Sequence, residues 1–204
     1  DPTHAPTRPP TPSPTPAPTP ACQVCFPDRS YIIGAVVEYE AGRYWSSFYA
    51  ALGCGDMPDW DVSCVTDMSF LFSSDYTDVN TFVIPDITAW DVGSVQNMEG
   101  MFAGASNFNQ DLSSWDVAQV TNMNQMFKGA SGLNQGLSSW NVGNVENMYS
   151  MFHGASSFNQ NLLSWNVGNV RDMSLMFWGA SNFNQPLSSW DVSQVTDMTA
   201  MFSG

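Results

Sequence analysis

The chain has 204 residues, 43% of them apolar and 13% aromatic, which suits one domain of ordinary size with a substantial core. Nineteen carboxylates stand against 5 Lys and Arg, and a formal net charge of −14 argues against phosphate backbones and anionic membrane surfaces as partners. No apolar run reaches the ~18 residues a membrane helix needs, so no membrane insertion is expected; the longest run, Tyr31 to Val37, has strand length.

Residues 1–20 read DPTHAPTRPPTPSPTPAPTP. Proline fixes φ and removes a backbone donor, so this segment is predicted to be a disordered, polyproline-like linker. Pro alternating with Thr and Ser is also the composition of O-glycosylated stalks. The chain opens on Asp1-Pro2 without a signal peptide and is expected to be a processed or excised segment.

Residues 21–59 match no repeat and are predicted to form an N-terminal α+β cap. Tyr31 to Tyr39 is β-branched and aromatic, which predicts a strand. Tyr44 to Leu52 has apolar residues at helical spacing, with Gly53 suited to follow the last turn. Such a helix would cover the end of a stack of repeats. Cys22, Cys25, Cys54 and Cys64 all lie before or inside the first repeat. The favoured pairing is Cys54–Cys64 with Cys22–Cys25, stapling the cap. A zinc site is the alternative, although C-x2-C-x28-C-x9-C is not the spacing of two paired knuckles.

Residues 60–204 hold six copies of one unit: WDVSCVTDMSFLF from Trp60, WDVGSVQNMEGMF from Trp90, WDVAQVTNMNQMF from Trp115, WNVGNVENMYSMF from Trp140, WNVGNVRDMSLMF from Trp165 and WDVSQVTDMTAMF from Trp190. The last five tryptophans are 25 residues apart and the first gap is 30. A period of this size means one supersecondary unit stacked on itself. Leu112, Trp115 and Val117 fit an L-x-x-L-x-L strand, with Trp inward and Asp116 outward. Val120, Met123, Met126 and Phe127 recur at three and four, which predicts a short helix. Thr66, Thr121 and Thr196 are placed to cap it, and Gly129 and its equivalents to stop it. The predicted fold class is therefore an α/β repeat solenoid, leucine-rich-repeat-like, with one short parallel strand and one short helix per 25-residue coil. Its last coil is truncated at Gly204, and further repeats or domains are expected beyond it.

The string FNQ-x-L-S-S-W-D-V-x-x-V-T-x-M-x-x-M-F-x-G-A-S resembles the BspA-type leucine-rich repeat surface proteins, the family also called the mycoplasma lipoprotein repeat or DUF285. The resemblance covers about residues 56–204 and not the proline tail. It implies a cell-surface or secreted protein, with adhesion to host or matrix proteins as the known theme. The family offers no shared catalytic residues, so the resemblance implies no enzyme.

The candidate site residues lie between the repeated apolar positions. The residue after each Trp is Asp61, Asp91, Asp116, Asn141, Asn166 or Asp191, an acidic and amide column on the predicted outer face. Carboxylates ~4.8 Å apart repel. Asp61, Asp91 and Asp116 are accordingly a weak calcium candidate beside the reading of a solvated ladder. Lys128, His153 and Trp178 fill one widely varying slot in adjacent coils and form a second binding-face candidate. The M-x-x-M pairs, such as Met123 and Met126, have the spacing of core rather than of a copper site. Asn109, Asn134, Asn159 and Asn184, each followed by Gln, are expected to hydrogen-bond open backbone groups along the stack. No nucleophile–base set, phosphate loop or cofactor motif emerges.

The function expected from these readings is an extracellular, cell-surface binding or adhesion scaffold. Its partner would be a protein or glycan on a cell or matrix surface, and not nucleic acid. The alternative is a structural surface-layer or spacer element with no specific ligand.

Overall fold

The computed structural model describes residues 26, 28–42, 56–74 and 82–204. The predicted tail, the predicted helix from Tyr44 to Leu52, and Cys22, Cys25 and Cys54 lie outside the described residues.

Helix α1, Arg29–Glu40, stands where Tyr31 to Tyr39 predicts a strand. Asp28 caps it, its Oδ1 accepting the N–H of Ser30 at 2.8 Å and of Tyr31 at 3.3 Å. Gly42, at φ 66°, follows its last turn. Ile32, Ala35 and Val36 are buried, a spacing of three and four that outweighs the β-branched preference of Ile32 and Val36. The helix covers the first coil: Tyr39 meets Trp60 edge-on with ring centroids 6.0 Å apart, and Phe26 adds a second ring at 5.2 Å. Arg29 fixes the contact by donating Nε–H to the Ser69 carbonyl at 2.8 Å. A single 3-10 turn, Met57–Asp59, leads into Trp60.

From Trp60 onward the chain stacks on itself as expected, but its coils contain neither the predicted strand nor the predicted helix. Among the described residues the α/β solenoid is therefore wrong: the coils are made of turns, joined by isolated parallel bridges. The bridges run Asp67, Asn97, Asn122, Asn147, Asp172, Asp197, one residue per coil.

Hydrogen bonding explains why. In the segment with helical spacing, successive N–H groups alternate between two directions. Met123, Gln125, Phe127 and Gly129 donate to the next coil, at Asn147, Tyr149, Met151 and His153 carbonyls. Met126 and Lys128 instead donate back three residues, to Met123 and Gln125. A helix needs every N–H to point to residue i−4. The residue ten after each Trp also breaks it. Phe70, Gln125, Ser150, Leu175 and Ala200 have φ between 52° and 57°, and Gly100 has 56°. Left-handed residues cannot continue a right-handed helix. The predicted caps have other roles: Thr121 and Thr196 hydroxyls donate to the Gln96 and Arg171 carbonyls of the preceding coil. The Trp-Asp-Val stretch is no strand because its backbone turns: Trp115 N–H bonds Leu112 and Val120 N–H bonds Val117.

The interior follows the repeat. Every Trp, both Val and both Met positions from Trp90 to Met176 are buried. Phe72, Phe102, Phe127, Phe152, Phe177 and Phe202 form one column of parallel rings at 5.5–5.7 Å. Phe108, Phe158 and Phe183 stack on it at 4.0–4.2 Å. Each buried indole needs an acceptor. It finds one in the coil before: Trp115, Trp140, Trp165 and Trp190 donate Nε1–H to the Ile87, Leu112, Leu137 and Leu162 carbonyls.

The Asn-Gln pairs do what their spacing predicts. Asn109, Asn134 and Asn159 Oδ1 accept the N–H of Asn134, Asn159 and Asn184. Gln135, Gln160 and Gln185 Nε2 donate to the carbonyl of the same Asn column.

Candidate functional site

The residue after each Trp points outward, as the sequence suggests, but has a structural duty. Oδ1 of Asp61, Asp91, Asp116, Asn141, Asn166 and Asp191 accepts the N–H two residues on, at 3.0–3.2 Å. These are Asx turns, which let a short side chain replace a backbone acceptor. All but the half-buried Asp61 are exposed. The turn N–H also lowers the pKa of Asp191 below the usual carboxylate range, the Ser193 N–H being the largest cause. The column is thus a row of ordered turns that carries carboxylates at Asp61, Asp91, Asp116 and Asp191 and amides at Asn141 and Asn166.

Asp61, Asp91 and Asp116, the calcium candidate, are each engaged in an Asx turn of their own. Among the described residues no three His, Cys, Asp or Glu side chains are grouped to hold a metal ion.

A second Asx column escaped the sequence reading. Asp67, Asn97, Asn122, Asn147, Asp172 and Asp197, the bridge residues, accept the N–H of Ser69, Glu99, Asn124, Tyr149, Ser174 and Thr199. The signal was present, since each repeat has Asp or Asn seven residues after its Trp. In the second and third coils this column also fixes a carboxylate: Asn122 and Asn124 donate to Glu99 at 3.2 and 3.0 Å.

Lys128, His153 and Trp178 are brought together. The rings of His153 and Trp178 lie 4.5 Å apart at 50°. Exposure of this slot is graded rather than uniform: Ser73 is buried, Lys128 and His153 are half-buried, and Trp178 is 40% exposed. Burial, and then the Lys128 charge, lowers the His153 pKa below its ordinary value. Its Nδ1 is buried without a hydrogen-bond partner.

A polar groove of about 360 Å³ was also missed. Gln96, Thr121, Glu146 and Arg171 line it from one column and Gln119, Asn144 and Asn169 from the next. Asn144 and Asn169 spend their Nδ2 on the Ala118 and Gly143 carbonyls. Their variability from coil to coil was the available signal.

Cys64 is disulfide-bonded, and Cys22, Cys25 and Cys54, its possible partners, lie outside the described residues. Among the described residues no helix is long and apolar enough to cross a membrane.

The chain matches the family described as "Mycoplasma protein of unknown function, DUF285", over residues 45–142 and 115–204. Together these matches span residues 45–204, so the chain belongs to that family. No curated protein and no solved structure matches it.

Proposed function

From membership in a family without an assigned function, we propose that this chain is an extracellular, cell-surface binding scaffold whose ligand is a protein or glycan. The observation that carries the reading is the division of each coil. Trp, Val, Met, Phe, Asn and Gln recur because they join coil to coil. The slots between them differ from coil to coil, as in the exposed Thr121, Glu146 and Arg171 or the half-buried Lys128 and His153 beside the exposed Trp178. Six coils thus display columns of differing chemistry on a regular frame, the arrangement repeat proteins use for extended binding surfaces. The resemblance to BspA-type surface proteins supports the cell-surface setting, and the Pro/Thr-rich segment at residues 1–20 suits a spacer. The scaffold acts by binding, not by catalysis, and takes no cofactor.

Binding of the full chain to a panel of purified extracellular-matrix proteins and glycans tests this. At least one member should bind saturably. The acidic column is probed by Asp91→Asn with Asp116→Asn, which removes charge but keeps the Oδ1 acceptor; Asn141 and Asn166 already occupy that slot. Unaltered binding by this variant counts against the acidic column. A folded chain that binds no panel member favours the spacer.

A further inference from the structure

Lys128, His153 and Trp178 fall in the same slot of three consecutive coils, thirteen residues after Trp115, Trp140 and Trp165. At ~4.8 Å per coil the column spans about 10 Å. Its chemistry departs from the acidic balance of the chain. The chain carries a net charge of −14, yet no carboxylate among the described residues pairs with Lys128. Lys128 Nζ lies 3.5 Å from Gln125 Oε1, a neutral acceptor. Trp178 exposes 40% of its surface while every other described Trp is at most 9% exposed. His153 lies between them, packed on the indole. With Nδ1 buried, Nε2 is the imidazole nitrogen left for a ligand.

We propose that this column binds a carboxylate-bearing sugar at the end of a glycan. The proposal rests on the reading of the chain as a surface binding scaffold and names the ligand class for one of its faces. An exposed indole offers a flat apolar face to the C–H face of a pyranose ring, with its N–H as a polar handle. Lys128 supplies the counter-charge for one carboxylate, and His153 a hydrogen bond for a hydroxyl. A single carboxylate fits better than a polyanion, which the remaining acidic surface repels.

An extended acidic peptide fits less well. Peptides commonly bind by adding a strand to a free backbone edge. Here the backbone beneath the column is closed: Gly129 N–H donates to His153, Gly154 to Trp178 and Gly179 to Ser203, at 2.7–2.8 Å.

The test is a titration of the full chain with 3′-sialyllactose and, as its uncharged counterpart, lactose, followed by NMR. The acidic sugar should bind at least ~tenfold more tightly, the effect of one charge-assisted hydrogen bond. Lys128→Gln should abolish the difference between the two sugars. Trp178→Ala should weaken both. Melting temperatures show whether each variant is folded, and Lys128→Gln alone decides the matter if Trp178→Ala is not. Absence of sialyllactose binding overturns the proposal. So does binding indifferent to Lys128→Gln, or stronger binding of an acetylated Asp/Glu peptide at the same residues. If sialyllactose fails while a matrix protein still binds, the scaffold reading survives and the sugar site does not; failure of both sinks both.

Discussion

Replacing Trp140 with Phe separates the two contributions of this side chain. The indole Nε1–H donates to the Leu112 carbonyl at 2.9 Å, and the residue is 2% exposed. That carbonyl also accepts the Trp115 N–H at 3.1 Å, so it keeps a partner after the substitution. The lost bond therefore costs an ordinary net hydrogen bond, about 1 kcal/mol, rather than the larger penalty of an orphaned group. Phe is smaller than Trp by roughly 40 Å³, and at ~24 cal/mol per Å³ of residual void this adds about 1 kcal/mol. Trp140→Phe should thus destabilise by about 2 kcal/mol, less than the ~3–5 kcal/mol of Trp140→Ala. Urea unfolding reads this as a lower midpoint at unchanged slope. Trp178→Phe, at the exposed slot, is the control and should shift stability by less than ~0.5 kcal/mol. If Trp140→Phe is as mild as that control, the indole ladder does not hold the coils together.

The other predictions concern the Asn column and pH. Asn134→Ala removes the acceptor for the Asn159 N–H and for Gln160 Nε2, at an exposed position. It should cost about 1 kcal/mol and speed hydrogen exchange at Asn159, whereas Asn134→Asp, which keeps an acceptor, should recover most of the loss. The pH dependence follows from shifts of two kinds. His153 has a folded pKa below its unfolded value, so the unfolded state takes up protons first as pH falls. Stability should be fully present above about pH 6.5 and decline below it, and His153→Gln should flatten that region of a melting-temperature profile. Asp111, Asp191 and Asp197 have folded pKa values lowered from 3.8, so their contribution is present above that pH and lost in stronger acid.

The interior was legible because the spacing of Trp, Val, Met and Phe repeats without gaps. The conformation that places them inside was not. Val120, Met123, Met126 and Phe127 have helical spacing, but a run of turns three residues long produces the same spacing. The hydrogen bonds to the next coil and the left-handed φ at Gln125 separate the two, and neither Gln125 nor Leu175 and Ser150 in the same slot is a residue type that announces it. Tyr31 to Tyr39 misled for another reason: local β preference lost to the Asp28 cap and to the need to cover Trp60. At the candidate site, the outward Asp and Asn after each Trp were legible by alternation. Their bond to a neighbouring N–H was not, because an Asx turn depends on backbone angles that alternation does not fix. The contact of His153 with Trp178 followed from the period, whereas the burial of Ser73 at the same slot did not.

The bonds from Met123, Gln125, Phe127 and Gly129 to the following coil run along the direction of stacking. Tension between the two ends of the stack therefore pulls along these bonds rather than shearing them, and loads successive coil-to-coil interfaces in series. A tethered chain under load should yield one coil at a time, each 25-residue unit releasing about 85 Å of extended backbone. Such a stack would act as a stepwise extensible link, with coils away from the opening end still folded and presenting their surface columns.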